Sequence, residues 1–300
     1  MLEKNTNLKP ILMDLCKVIK NVCRKNKSRR GISRLTLILI FFIVIFLGTP
    51  APCAAPDKVV IYFYSSEANI NNFKSLKMGF DKYLAEYGPY EFQPFSDRKT
   101  FESHIRDKKR CLLLLSSWHY KIICKDYYLT FSLAGLRNGN KYQQRILVAR
   151  ETVSSIDDLT GADIASASSV EHTKSVVNGM FEKKGERAEV SILDVPKDID
   201  ALWTVYNGTA KAALITRNSF EELKNINPSM YRKMRILAEG QKSLSLIVAV
   251  PEGFLENSLQ PVNVIKNMPM NPEGKKKMRM LGLDGWQKPD LSDRQTLETR

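Results

Sequence analysis

Apolar and polar residues are distributed along this chain in two regimes. From Leu35 to Leu47 it reads LTLILIFFIVIFL, thirteen residues in which Thr36 is the only polar position. Beyond Asp57 the apolar runs are short and separated by segments of helical spacing. Val59 to Tyr64 (VVIYFY) has the length and the β-branched and aromatic content of a strand. Asn69 to Tyr87 predicts a helix, with Ile70, Phe73, Leu76, Phe80, Tyr83 and Leu84 on one face. Tyr90 to Pro94 predicts a second strand, Arg98 to Lys109 a second helix, and Cys111 to Leu115 (CLLLL) a third strand. A strand that is apolar on both faces belongs in a parallel sheet covered by helices, so this stretch predicts the β-α-β-α-β start of an open α/β sheet.

The unit recurs. Arg145 to Ala149 predicts a strand, Ile156 to Gly161 a turn, and Asp163 to Ala165 a short strand. Thr173 to Lys184 predicts a helix, Val190 to Leu193 a strand, Ile199 to Asn207 a helix and Ala212 to Thr216 a strand. Asn218 to Lys224 follows as a helix, Met234 to Leu237 as a strand, and Leu244 to Val250 as the last strand. Helical segments near Leu255 to Val264 and Pro272 to Leu281 finish the chain. Two α/β lobes of about 100 residues each suit this strand count.

Composition excludes a disordered, collagenous or disulfide-stapled chain: 43% of the 300 residues are hydrophobic and 26% charged. The formal charge of +14 changes meaning once it is located. Residues 1–34 hold ten Lys and Arg against Glu3 and Asp14, so more than half of the excess lies there. A basic flank, a thirteen-residue apolar core and the small-residue exit GTPAPCAAP read as an export signal. Met13 offers an alternative start that shortens the basic region, and Pro50 stands where a lipoprotein signal has Leu before Cys53. Gly48 to Ala55 extends the apolar span to about 20 residues, enough to cross a bilayer, so residues 35–55 are either a signal-peptide core or a membrane anchor. Residues 1–34 then stay cytoplasmic, and everything after residue 55 is delivered across the membrane, to a periplasmic or other extracytoplasmic location. Cys111 and Cys124 are the body's two cysteines, as a pair or as free thiols. Their spacing of thirteen residues gives no zinc signature, and no metal or cofactor is expected.

Several segments carry a family likeness. CLLLLSSWHY (Cys111 to Tyr120), followed by LTFSLAGLRNGNKYQQRILVARE (Leu129 to Glu151), resembles the third strand, first ligand loop and crossover of the extracytoplasmic solute-binding proteins of ABC transporters. The likeness is to their phosphate/phosphonate-binding branch, with the type 2 periplasmic binding fold. SSIDDLTGADIA (Ser154 to Ala165) resembles the family's entry into the second lobe, and IDALWTVYNGTAKAALIT (Ile199 to Thr216) is similar to a later segment. The resemblance implies a two-lobed α/β fold joined by a two-strand hinge, with one lobe formed by residues 57–140 plus 255–300 and the other by 141–254. It also implies a small anionic ligand, such as phosphate, phosphite or a phosphonate, captured by hinge closure, and an ABC transporter permease as partner.

Ligands of open α/β sheets sit outside the carboxyl ends of the strands, where helix N-termini present free N–H groups. Three loops meet that condition. Ser65, Ser66 and Glu67 follow the first strand; Ser116, Ser117, Trp118, His119 and Tyr120 follow the third; Ser168, Ser169, His172, Thr173 and Lys174 lie in the loop and helix start of the second lobe. Hydroxyls there suit an oxyanion, Trp118 and Tyr120 its organic part, and His119 a donated hydrogen bond. Ser66 and Ser117 equally suit plain helix N-caps, and Trp118 plain packing. Where phosphonate binders carry a Ser-Thr-Ser-Gly type motif, this chain has Glu171, His172, Thr173 and Lys174, a departure that places a carboxylate near the expected anion. Lys211 replaces the Asp usual in the later segment.

Competing classes find less support. The sequence has three histidines, no G-x-S-x-G elbow, no P-loop and no G-x-G-x-x-G, so no enzyme chemistry is indicated beyond a nominal Ser116–His119 pair. Basic residues do not interleave with aromatics, and GKKKMR (Gly274 to Arg279) reads as a solvated helix face, so no nucleic acid is expected. The alternative that stands is a membrane-anchored ligand-sensing or partner-interaction domain of the same fold, without a transporter.

Overall fold

The computed structural model describes residues 58–67, 72–182 and 189–298. The basic region 1–34 and the expected signal or anchor segment 35–55 lie outside the described residues, as do Cys16, Cys23 and Cys53. Among the described residues no helix is long and apolar enough to cross a membrane.

Two sheets organise the chain. The first has six strands, in the order β11 (Gly285–Gln287), β4 (Leu129–Leu136), β10 (Leu246–Pro251), β3 (Cys111–Ser116), β1 (Val59–Tyr64) and β2 (Tyr90–Pro94). Its parallel centre is β1 (Val59–Tyr64), β2 (Tyr90–Pro94) and β3 (Cys111–Ser116), joined by α1 (Phe73–Leu84) and α2 (Arg98–Ile105). Adjacent residues of these strands serve two separate cores. Ile61, Phe63, Leu112 and Leu114 pack with Phe80 and Leu84 of α1, while Tyr62, Tyr64, Leu113 and Leu115 pack with Phe101 and Ile105 of α2. A strand buried on both sides has no polar position to spare, which is why CLLLL is apolar throughout. Helix α1 begins at Phe73 because the Asn72 side chain accepts a hydrogen bond from the Ser75 N–H at 3.0 Å, and α2 is capped in the same way by Asp97.

The second sheet runs β7-β6-β8-β5-β9. It comprises β5 (Tyr142–Arg150), β6 (Asp163–Ser166), β7 (Ser191–Asp194), β8 (Ala212–Thr216) and β9 (Met234–Leu244). Its helices are α4 (Val170–Glu182), α5 (Asp198–Tyr206), α6 (Arg217–Ile226) and α7 (Pro228–Arg232), α3 (Ser117–Ile123) being in the first lobe. Ile146, Val148, Ala213 and Ile215 pack on α5 and α6; Leu147, Ala149, Ala212 and Leu214 pack on α4.

The chain passes between the sheets twice, from β4 (Leu129–Leu136) to β5 and from β9 to β10 (Leu246–Pro251). The first passage turns at Asn138 and Gly139, both at positive φ (50° and 72°), and the second is the single residue Ser245. The Ser245 N–H bonds the Lys141 carbonyl at 3.3 Å, so the passages are joined side by side as a hinge. Lys141 pairs with Asp290 and, at 2.8 Å, with Asp293, and the Tyr142 hydroxyl donates to Asp293 at 2.7 Å. These contacts hold α10 (Leu291–Glu298) against the hinge.

Of the differences from the sequence expectation, which include the unpredicted strand β4 and helix α7, three bear on how the lobes are built. The second lobe was expected to run to residue 254, but β10 lies between β3 and β4 of the first sheet. Its residues Ile247 to Val250 are fully buried, which a central strand position provides. The last strand is not β10 but β11 (Gly285–Gln287), an edge of the first sheet, and α10 follows the two C-terminal helices α8 (Leu259–Asn267) and α9 (Pro272–Met280). Strand β9 extends to Leu244 rather than Leu237, because an edge strand open to solvent on one side tolerates AEGQKS. Cys111 and Cys124 are free thiols, and burial pushes the Cys111 thiol up to about 12.

Candidate functional site

The loops expected to bind ligand meet where the lobes face each other. After β1, the Ser66 hydroxyl is fully buried and bonds the Ser116 hydroxyl at 2.6 Å. Ser116 caps α3 by accepting from the His119 N–H at 3.3 Å. Ser169 plays the matching part in the second lobe, accepting from the His172 N–H at 3.3 Å, while its own N–H donates to the Ser66 carbonyl across the cleft at 2.8 Å. The lobes are thus in direct contact, main chain to main chain.

Glu67 is the hub of this contact. Its carboxylate is reached by the Gln143 amide, by Arg145 Nη2 at 3.8 Å and by His172 Nε2 at 4.0 Å, while its carbonyl accepts from Arg145 Nη2 at 2.7 Å. Desolvation raises the Glu67 carboxyl to about 7, the Arg145 charge and the Gln143 hydrogen bond opposing only part of that rise. Burial holds His172 well below its usual value, with Arg145 adding to the effect, so its imidazole is neutral. Arg145 lies on β5 with its side chain 5% exposed and is steadied by Asp198 at 3.6 Å. Asp198 is itself fixed by the Thr216 N–H and hydroxyl and by the Ser219 hydroxyl. Arg145 Nε and Nη1, Glu67 Oε1 and His172 Nδ1 are buried and make no hydrogen bond to the described protein atoms.

Other expected residues are placed differently. His119 is fully buried inside the first lobe, edge-on to Tyr64, with Nε2 2.8 Å from Glu102 Oε1. Burial lowers it to about 4 despite Glu102. It therefore offers nothing to the cleft, and the nominal Ser116–His119 pair is not a cleft pair. The Tyr120 hydroxyl donates to the Leu129 carbonyl at 3.0 Å and its ring packs near Phe131. Trp118, one helical step from His119, faces the other way: its Nε1 donates to Ser175 of the second lobe at 3.1 Å, and His172 meets its ring edge-on. Ser117 donates to the Leu244 carbonyl at the hinge, and Thr173 to the Ser166 hydroxyl at 2.9 Å. Lys174 and Glu171 are exposed, so the charge at the cleft is that of Glu67 and not of Glu171. Ser65, Ser168 and Ser169 border a cavity of about 190 Å³ together with Asp194.

Arg145, Gln143 and Asp198 were not anticipated. The available signal was an arginine opening the otherwise apolar strand RILVA directly after the crossover, a position where a charge needs a reason. Among the described residues no cluster of His, Cys, Asp and Glu could hold a metal ion.

Comparison with known proteins supplies a frame for this geometry. No protein-family model and no curated protein matches the chain. Solved structures do. The protein XAC2383 from Xanthomonas citri, bound to ATP, aligns at 15% identity and a TM-score of 0.61 over 80% of this chain and 94% of that one. A binding-protein component of an ABC phosphonate transporter from Pseudomonas aeruginosa aligns at 15% identity and 0.57, over 79% and 82%. A Prochlorococcus marinus protein in complex with methylphosphonate aligns at 14% identity and 0.54, over 81% and 95%. With two α/β sheets, two connecting passages and a cleft between them, the described residues have the fold of the type 2 periplasmic binding proteins.

Proposed function

We propose that this protein is the extracytoplasmic solute-binding component of an ABC-type importer, capturing a small oxyanion between its lobes by hinge closure. The observation that carries this reading is Arg145: a buried guanidinium at the lobe contact whose Nε and Nη1 have no hydrogen-bond acceptor among the described protein atoms. Guanidinium N–H groups match the oxygens of phosphate, phosphite or a phosphonate, and such charge-assisted bonds are strong. Glu67 is compatible with an anion because its carboxyl, raised to about 7, is protonated in much of the population near neutral pH and then donates a hydrogen bond instead of repelling. The phosphonate named for two of the structural neighbours belongs to the same ligand class. No enzymatic role is proposed, since His119 is turned into the lobe interior. The basic leader and the apolar run Leu35 to Leu47 support delivery outside the cytoplasm.

A second reading, a membrane-anchored sensing domain of the same fold, is favoured by the length of the apolar span through Ala55. Fractionation and N-terminal sequencing of the expressed full chain separate a cleaved leader from a retained anchor. For the ligand, thermal melts of the full chain with phosphate, phosphite, methylphosphonate and sulfate are the test. At least one anion should raise Tm, and Arg145→Met should remove the rise. No shift with any anion overturns oxyanion capture.

A further inference from the structure

The cleft is divided unequally. On one side lies the 190 Å³ cavity, whose only charged lining residue among those described is Asp194. On the other is a chamber of about 730 Å³, lined by Trp118 of the first lobe and by Arg145 and Val176 of the second. Among the described residues the charged lining of this chamber is wholly basic: Lys121, Arg145 and Lys242. Its size falls in the range of about 300–1,000 Å³ that encloses a drug-sized organic ligand, and far exceeds the few water volumes of about 30 Å³ that a free oxyanion displaces.

Two details show that the space is built for an organic body. The indole of Trp118 is held in place from three sides, by the Ser175 hydroxyl, by the edge of His172 and by the Arg98 guanidinium 5.5 Å from the ring centroid. A ring fixed in this way presents a pre-positioned apolar surface to the chamber it lines. On the facing helix α4 stands Gly179, a residue that costs a helix interior about 1 kcal/mol relative to alanine, and a Cβ built there would meet nothing within 4 Å. The helix therefore gives up stability at a point where a side chain would project into the chamber.

We propose that this chamber receives the organic portion of the ligand, and that the solute is an oxyanion bearing an aromatic or comparably bulky substituent, its anionic head at Arg145 and its body along Trp118. The inference deepens, and rests on, the reading of the cleft as an anion site.

Calorimetric titration of the full chain with inorganic phosphate, methylphosphonate and phenylphosphonate tests it. Phenylphosphonate should bind about tenfold or more tightly than methylphosphonate, from the added apolar area buried. Gly179→Phe and Trp118→Ala should each narrow that ratio to about threefold or less. Retained methylphosphonate binding in Gly179→Phe, and an unchanged circular dichroism spectrum with a cooperative melt in Trp118→Ala, certify that each variant has folded, and the ratio within one variant is independent of its stability. Equal affinities for the two phosphonates overturn the bulky-ligand inference and leave the anion site standing. No binding of any of the three overturns both.

Discussion

The two lobes bring opposite charges to the place where they meet. The first contributes Glu67, on a loop after β1; the second contributes Arg145, inside strand β5 and braced by Asp198. The loop carboxylate is held largely by groups of the other lobe, since Gln143, Arg145 and His172 all reach it from across the cleft or the hinge. The guanidinium has a partner within its own lobe. This asymmetry means that parting the lobes deprives Glu67 of its partners and returns it to water, while Arg145 keeps Asp198. In the proposed reading, closure is linked to the protonation of one carboxyl on the first lobe, and anion recognition to one cation on the second.

The largest effect should come from removing the cation. Arg145→Met should weaken the binding of any anion by about 100-fold or more, equal to two charge-assisted hydrogen bonds, as read by calorimetry. The same variant should also be less stable in urea unfolding above pH 7, where Glu67 ionises beside Arg145 in the wild type but has no cation in the variant. A wild-type ligand affinity in this variant would remove Arg145 from the site.

Next is the carboxyl. Its folded value, about 7, is higher than its ordinary 4.5, so the native state binds a proton more tightly than the unfolded chain. The stabilisation linked to that proton is complete below pH 4.5 and is lost as pH rises through 7. Urea unfolding of wild type and Glu67→Gln across this interval should show the wild type losing about 3 kcal/mol more than the variant. Parallel pH profiles would show that Glu67 is not buried against Arg145.

His119 should have the reverse sign on the same pH axis. Lowered to about 4 by burial, it stays neutral in the native state while the unfolded chain protonates from 6.5 downward. Stability linked to it is full above 6.5 and is lost as pH falls toward 4, an effect of about 3 kcal/mol that His119→Gln should abolish. Ligand affinity should not change, since this residue faces the first-lobe interior; a large loss of affinity would return it to the cleft.

The smallest effects belong to the buried hydroxyls. Ser117→Ala and Thr173→Ala each delete an internal hydrogen bond, to the Leu244 carbonyl and to Ser166, and should cost about 1 kcal/mol of stability. An effect of that size on anion binding, without one on stability, would mean that these hydroxyls turn to the ligand.

Much of the fold was legible because doubly buried strands leave no ambiguity. VVIYFY, CLLLL and AALIT could be located from composition alone, and β1, β2 and β8 have the ends expected of them. Strand β9 was read short because its outer residues alternate with solvent, and β10 was assigned to the wrong lobe because an apolar run says that it is central without saying in which sheet. The candidate site was legible as loops that meet at the lobe contact, and not as side chains. SSWHY was recognised as a cleft loop, but whether Trp118 or His119 faces the cleft depends on where α3 starts, which the Ser116 cap decides. Arg145 escaped notice because its role is set by Asp198 and Glu67, 53 and 78 positions away in the chain.

The main-chain bond from Ser169 to the Ser66 carbonyl has a kinetic corollary. In the proposed reading, a solute that needs the lobes apart enters only after that bond and the contacts around Glu67 have parted, so entry waits on a unimolecular event. Uptake measured by stopped flow should then rise with solute concentration only at first and level off at the rate of parting. That plateau should be the same for every solute the protein accepts.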